Sequence, residues 1–230
     1  MKYFDRLPRH ALAALALLVA VRLAAAYLPA GTPAATTLLA PPPVMGSAED
    51  KFDLEATYTV HSGATPAEIA LGTDENKLTI FHFAPAIGSW FAPGKFPQTE
   101  ALFKQVEAEA KKVTDDAKKY WKRPRPYHLD PARFPHSIEH EDPTHYSYPS
   151  GHSTRGTVMA LLLAELFPEN RDAILAKGRE AGWLRVQGGV HYPTDIYAGR
   201  VLGQELARDF LRSPAFQADL AAVKTELAGH

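Results

Sequence analysis

The pentapeptide Tyr148-Pro149-Ser150-Gly151-His152 runs without a break into the apolar stretch Thr157-Val158-Met159-Ala160-Leu161-Leu162-Leu163-Ala164, and this junction sets the terms for the rest of the chain. A helix opening at Ser150 gathers its unbonded N–H groups, the positive end of its dipole and the Ser150 hydroxyl at one spot, which suits an anion. His152 sits at the rim of that spot. Taken alone, the four residues from Pro149 read equally well as an N-cap serine beside a turn glycine. The residues on either side tip the balance: Lys118 and Arg125-Pro126 upstream, and Arg185, His191 and Asp195 downstream.

Most of the chain carries helical signals. Thr65-Pro66-Ala67-Glu68 combines a capping box with proline at the first helical position, so a helix starts there and is cut short near Gly72. Ile80, Phe83, Ala84, Ile87, Trp90 and Phe91 recur three or four apart and predict a buried helix. Phe103, Val106, Ala110, Val113, Ala117 and Tyr120 keep the same period with Lys and Glu between them, and this helix must end before Pro124. Further helices are expected over about 150–166, 170–186, 193–211 and 214–227, with Pro193 and Pro214 at N1 and Ser213 as an N-cap. No period-2 segment of useful length and no internal repeat interrupts them. The predicted fold class is all-α, a single-domain helical bundle with the anion site at helix ends.

A length of 230 residues with 46% hydrophobic content fits one core. The net charge of −1 argues against a nucleic-acid-binding surface, so any cationic feature is local. With no cysteine, a disulfide framework, a thiolate zinc site and a lipoprotein anchor are all excluded. At the N-terminus, Lys2, Arg6 and Arg9 precede the apolar run from Ala11 to Val21, and Ala24-Ala25-Ala26 supplies the small residues of a cleavage site. Residues 1–26 read as a signal peptide and the destination as the periplasm, although Arg22 blurs the cut and leaves a membrane-anchored N-terminus as the lesser alternative. Residues 27–47, with Pro41-Pro42-Pro43, read as an extended arm, and residues 48–230 as the helical domain.

Between Pro126 and Pro149 the pattern lapses. This segment holds His128, His136, His140 and His145 with Glu139, Glu141 and Asp142. Such a set admits a metal, but its spacing matches no helix-borne or hairpin-borne ligand pattern, so a loop walling the site is the expectation and no metal is assigned.

Three blocks carry the chemistry: Lys118-x6-Arg125-Pro126, Pro149-Ser150-Gly151-His152, and Arg185-x5-His191-x3-Asp195. Each piece is weak alone, since a His and an Asp four apart are commonly a helix-surface pair. In this order and at these spacings they are specific. Here the sequence resembles the type 2 phosphatidic acid phosphatase superfamily and, within it, the bacterial class A non-specific acid phosphatases. The resemblance covers roughly residues 78–211, including the approach Trp121-Lys122-Arg123-Pro124. Two departures stand out: Leu184, where the family usually has Ser, and the absence of the cysteines common in class A enzymes.

The resemblance implies a metal-independent phosphomonoester hydrolase working through a phosphohistidine, with no cofactor. Lys118, Arg125, Ser150, Gly151 and Arg185 would bind the phosphoryl group, which is stabilised mainly by fixed charge and positioned donors. His191 would be the nucleophile, Asp195 would hold its Nδ1–H, and His152 would protonate the leaving group. The partners implied are small-molecule phosphate esters. Two alternatives are a vanadium-dependent haloperoxidase-like protein, whose relatives are much longer chains, and a soluble phosphatase specific for lipid phosphates. A multispanning lipid phosphatase is excluded, because the longest apolar run after the leader, residues 158–167, contains Glu165. The sequence leaves the substrate open, and the oligomeric state too, a homo-oligomer included.

Overall fold

The computed structural model describes residues 26–74, 77–135 and 145–230. The signal-peptide expectation, except for Ala26, and most of the histidine-rich loop (His136, Glu139, His140, Glu141, Asp142) lie outside the described residues. Ten α-helical segments are described, in the order α1 Ala35–Leu38, α2 Ala48–Gly63, α3 Pro66–Asp74, α4 Ala84–Ile87, α5 Pro97–Trp121, α6 Pro126–Leu129, α7 Gly151–Leu166, α8 Arg171–Gln187, α9 Pro193–Arg212 and α10 Pro214–Leu227. Two 3₁₀ turns, Ile80–Phe83 and Pro168–Asn170, join them. No strand occurs among the described residues, and the all-α class holds.

Local chemistry accounts for most of the helix starts. Ser47 caps α2 by accepting from the Asp50 N–H, and Ser213 caps α10 by accepting from the Phe216 N–H. At α3, Thr65 and Glu68 form the reciprocal pair: the Thr65 N–H donates to Glu68 Oε2 at 2.7 Å and the Glu68 N–H to Thr65 Oγ1 at 3.3 Å. Between Ile80 and Phe91 the continuous helix that the spacing predicts is broken into a 3₁₀ turn and one turn of α4. Proline stands at Pro85, and the chain passes through φ +146° at Gly88, where a Cβ would meet Trp90 Nε1 at 2.5 Å. The side chains still point inward as the period implies, with Ile80, Phe83, Ile87 and Phe91 all buried.

Helix α7 is the axis of the bundle. Val158, Met159, Ala160, Leu162, Leu163 and Ala164 are all buried, so the helix is apolar around most of its circumference and must be enclosed. Helices α8 and α9 pack most extensively against it, and α5 also lies along it. Residues 26–47 add Tyr27, Leu28, Ala35 and Leu39 to the same core.

Glycines let the backbones of α7, α8 and α9 touch. A Cβ on Gly178 of α8 would lie 2.5 Å from the Ala160 Cβ, and one on Gly199 of α9 would lie 2.6 Å from the Ser150 carbonyl oxygen. The contact at Gly199 places the start of α7 against the start of α9, where the Ser150 N–H donates to the Asp195 carbonyl at 3.0 Å and Ser153 Oγ to the Ile196 carbonyl at 2.7 Å. Gly199→Ala should therefore destabilise the protein by about 1–3 kcal/mol in urea unfolding, the usual range for overpacking a tight contact. Gly63→Ala, where nothing lies within 4 Å of the added methyl, should leave stability within about 0.5 kcal/mol of the parent. Equal effects of the two substitutions would remove the backbone contact as the reason for glycine at 199.

Candidate active site

The three sequence blocks meet where the C-terminal end of α5, the N-termini of α7 and α9 and the turn after α8 converge. Helix α5 ends at Lys122, a left-handed residue with φ 50°, and the next residues run extended through Arg125, the residue before α6. Helix α8 ends at Gln187. A turn through Gly189, with φ +70°, then brings the Val190 and His191 N–H groups back onto the Arg185 carbonyl at 3.0 and 3.2 Å. This hairpin-like return delivers His191 two residues before Pro193 opens α9, and Asp195 falls in the first turn of that helix. There its carboxylate faces the positive end of the helix dipole.

His191 is 2% exposed and Asp195 is fully buried. The His191 Nδ1 lies 3.0 Å from Asp195 Oδ2, and an Arg125 guanidinium N–H points at His191 Nε2 across 2.8 Å. A guanidinium can only donate, and an ionised carboxylate can only accept. The network therefore assigns the proton to Nδ1 and leaves a lone pair on Nε2. Burial, and then the positive charge of Arg125, holds the imidazole well below its usual pKa; Asp195 opposes the shift and Lys118 reinforces it. The ring is neutral at physiological pH.

Backbone carbonyls orient the neighbouring cations. Lys118 Nζ donates to the Tyr146 and Ser147 carbonyls, and Arg125 donates from Nε to the His145 carbonyl at 3.1 Å and from Nη1 to the Val190 carbonyl at 2.8 Å. These dipoles orient the side chains, and the field of both cations reaches His191. Arg185 is completely buried: it donates to the Gly72 carbonyl of α3 at 3.2 Å, while its own carbonyl anchors the turn before His191. Ser150 is the N-cap of α7, its Oγ accepting from the Ser153 N–H, as the helix-start reading of the pentapeptide expects. Gly151 and His152, both half-buried, open the helix. Of the loop histidines within the described residues, His128 packs edge-on against Tyr127 and the His145 carbonyl holds Arg125.

The Asp195 carboxylate is saturated. Its Oδ2 accepts from His191, from the Ser147 hydroxyl at 2.5 Å and from the Tyr192 N–H at 3.0 Å, while Oδ1 accepts from Arg123 at 2.8 Å. Burial alone would raise its pKa, but the His191 hydrogen bond and the Arg123 charge outweigh that and keep it below the usual carboxylate range.

A family model described as the PAP2 superfamily matches residues 108–213, a span that contains all three blocks. The non-specific acid phosphatase of Salmonella typhimurium is 32% identical over 200 residues, an alignment covering 82% of this chain and 78% of that protein. The chain belongs to the PAP2 superfamily. The non-specific acid phosphatase of Salmonella typhi is 33% identical over 205 residues, with the same coverage of each chain. A lipid A 1-phosphatase of Rhizobium etli is 44% identical over 57 residues, a quarter of each chain.

In this PAP2 superfamily chain the structure adds residues that the motifs did not single out. Arg123, 5% exposed, was visible only as part of the approach to the first block, and its partners Asp50 and Asp53 come from α2, far outside that block. Ser147 and Thr194 join them by hydrogen bonds. Nothing in their spacing marks these residues; the one available signal is that Arg123 stands two residues before Arg125 in the approach to the first block. Leu184, at the family's usual Ser position, is buried and apolar, with its carbonyl bonded to the Gly188 N–H.

The depressed pKa of His191 makes a stability prediction. Between its folded-state pKa and the ordinary value near 6.5, the unfolded chain binds a proton that the folded chain does not, so stability must fall as pH drops below about 6.5. His191→Gln should remove up to one proton from that dependence, reducing the slope by at most about 1.4 kcal/mol per pH unit. Guanidinium unfolding of both proteins between pH 4 and 7.5 reads the difference. Parallel curves would mean that His191 is as easily protonated in the folded state as in the unfolded.

Proposed function

We propose that this chain is an acid phosphatase that hydrolyses phosphate monoesters through a covalent phosphohistidine on His191 and needs no metal. Membership of the PAP2 superfamily and the activity named for its relatives from the two Salmonella species support the hydrolase reading. The observation that carries the covalent mechanism is the buried His191, neutral, with Nδ1 on Asp195 and its Nε2 lone pair beside two cations.

In the proposed reaction the ester's phosphoryl group enters beside Lys118 and Arg125, against the N-terminus of α7. The Arg125 N–H that rests on Nε2 passes to a phosphoryl oxygen and uncovers the lone pair. Nε2 then attacks phosphorus in line as the bond to the leaving oxygen breaks, and His152 gives that oxygen its proton. Asp195 stabilises the positive charge that develops on the ring. In the second step His152 takes a proton from water, the water oxygen attacks the phosphohistidine, and phosphate and neutral His191 are released. Ser150, Gly151 and Arg185 complete the set proposed to bind the phosphoryl group, and the nitrogen donors supply the charge stabilisation that a divalent ion would otherwise bring.

Export to the periplasm is part of the proposal, with a cut after Ala26. The Tyr27 N–H already donates to Glu109 Oε1 at 3.0 Å, its ring is buried against Phe210 and Phe216, and its hydroxyl donates to Asp219 at 2.7 Å. An α-ammonium created at Tyr27 would meet a carboxylate. Mass spectrometry of the exported protein should therefore give an N-terminus at Tyr27, and an intact Met1 in the cytosolic fraction would contradict it.

The covalent step is tested by His191→Ala together with orthovanadate. The variant should lose about 10⁴-fold or more in kcat, as when a nucleophile is removed, and retain phosphate binding. Vanadate, which becomes five-coordinate with Nε2 in an apical position, should inhibit the parent more tightly than phosphate does, and this preference should vanish in the variant. Activity in the parent should survive EDTA. A variant turning over an activated ester at a substantial fraction of the parent rate would overturn the assignment of His191, and loss of activity on chelation would overturn the metal-free mechanism.

A further inference from the structure

A buried ionic cluster lies directly behind Asp195, on the side away from His191. Arg123 Nη1 donates to Asp195 Oδ1 and to Thr194 Oγ1, each at 2.8 Å, while Nη2 donates to Asp53 Oδ2 at 2.8 Å and to Asp50 Oδ1 at 3.2 Å. The guanidinium plane sits 3.7 Å from the centre of the Tyr192 ring. Asp53 also accepts from the Thr194 hydroxyl and, at 3.2 Å, from the Thr194 N–H. One fork thus joins α2, the segment after α5 and the first turn of α9. Three carboxylates and one guanidinium are drawn out of water here, an arrangement that hydrophobic packing would replace at no loss of stability if stability were its only task.

We infer that Arg123 is a positioning residue for the reaction, holding the plane of the Asp195 carboxylate and through it the direction of His191 Nε2, and that Asp53 sets how much of the Arg123 charge reaches Asp195. This inference rests on the phosphohistidine reading. Rotation of the Asp195 carboxylate about its own axis would swing Oδ2 away from His191 Nδ1; Ser147 and the Tyr192 N–H hold Oδ2, and the bond from Arg123 holds Oδ1 and so fixes the carboxylate plane from the far side. The same bond supplies countercharge: with Arg123 present, Asp195 draws less strongly on a proton at His191, and the ring stays neutral and nucleophilic.

Charged and titratable groups of the described residues surround the pair on every element packed about it. They are Asp50 and Asp53 from α2, Lys118 from α5, Arg123 and Arg125 after it, Tyr148 before α7, His152 at its start, Arg185 at the end of α8, and Tyr192 ahead of α9. Against this background the two ends of the cluster must act with opposite sign. Removing the Arg123 charge leaves Asp195 uncompensated and raises the affinity of His191 for a proton. Removing the Asp53 charge frees more of Arg123 for Asp195 and lowers it.

The test compares Arg123→Met, Arg123→Lys and Asp53→Asn in the full mature enzyme. His191 is titrated by ¹⁵N chemical shift in histidine-labelled protein, and kcat/KM is measured against pH with an activated ester. Arg123→Met should raise the His191 pKa and move the acid limb of kcat/KM upward by about one pH unit, with kcat falling about 10–100-fold and KM changing less than about threefold, because the side chain does not touch substrate. Arg123→Lys keeps the charge and loses the fork, so the limb should return toward the parent while kcat recovers only in part. Asp53→Asn should move the limb and the ¹⁵N titration downward.

Shifts of the same sign in Arg123→Met and Asp53→Asn, or a parent-like limb and kcat in a folded Arg123→Met protein, would overturn the inference. Should Arg123→Met fail to fold, Asp53→Asn decides alone: a downward shift supports the inference, and no shift or an upward one overturns it. Trapping of ³²P on the parent's His191 tests the covalent reading separately, since the ¹⁵N titration needs no turnover.

Discussion

The interaction on which the site depends is the enclosure of the Asp195 carboxylate. A carboxylate with no exposed surface is unfavourable unless its oxygens are fully engaged, and a single missing donor would leave a cost of several kcal/mol. Here the donors come from three separate stretches: Arg123 after α5, Ser147 before α7, and His191 with the Tyr192 N–H ahead of α9; a fourth, α2, holds Arg123 in turn. None of these stretches can shift alone without stranding the charge. Burying the carboxylate therefore fixes the relative placement of elements that are up to 145 positions apart in sequence, since Asp50 and Asp195 share one guanidinium.

The helix packing supplies the other half of that constraint. Glycine at 178 and 199 brings backbone against backbone on two sides of α7, so the start of α7 and the start of α9 lie within one hydrogen bond of each other. Two helix N-termini side by side turn their positive ends to the same region, which is where Lys118 and Arg125 also face, although the Thr194 and Asp195 N–H groups of α9 are already taken by Asp53 and the Tyr192 carbonyl. Each contribution is modest when exposed to water, worth about 1 kcal/mol or less for a surface helix terminus. In a site where His191 is 2% exposed, the dielectric screening that weakens such terms is reduced, and they act together on whatever charge enters.

Signals confined to a few neighbouring residues were legible in the sequence. The reciprocal Thr65 and Glu68 cap, the prolines at 193 and 214 and the Ser213 cap all stand where their local chemistry puts them, and the three blocks do converge. The predicted continuous helix over 80–91 failed because periodicity reports which side chains go inward, not whether the backbone between them is unbroken; Pro85 and Gly88 break it while Ile80, Phe83 and Ile87 stay buried. The cluster of Arg123 with Asp50 and Asp53 was illegible for a different reason. Its members are paired only by tertiary packing, and an acidic residue at the start of α2 looks in sequence like any first-turn acid placed to meet a helix dipole.

The cations around His191 act in two opposed ways, and their opposition explains why the ring is buried beside them. Lys118 and Arg125 repel a proton from Nε2, so the ring is kept deprotonated but also electron-poor. In the proposed reaction a phosphoryl group with nearly two negative charges would offset that field as it binds. The proton affinity of Nε2 would then rise only when an electrophilic phosphorus stands in front of it, and basicity and nucleophilicity rise together. A solvent-exposed histidine would gain little from this, because water would screen the cations before and after binding alike. In that proposal burial makes the nucleophile's strength conditional on the ligand, and it is the saturated Asp195 behind the ring that allows a titratable group to be placed there at all.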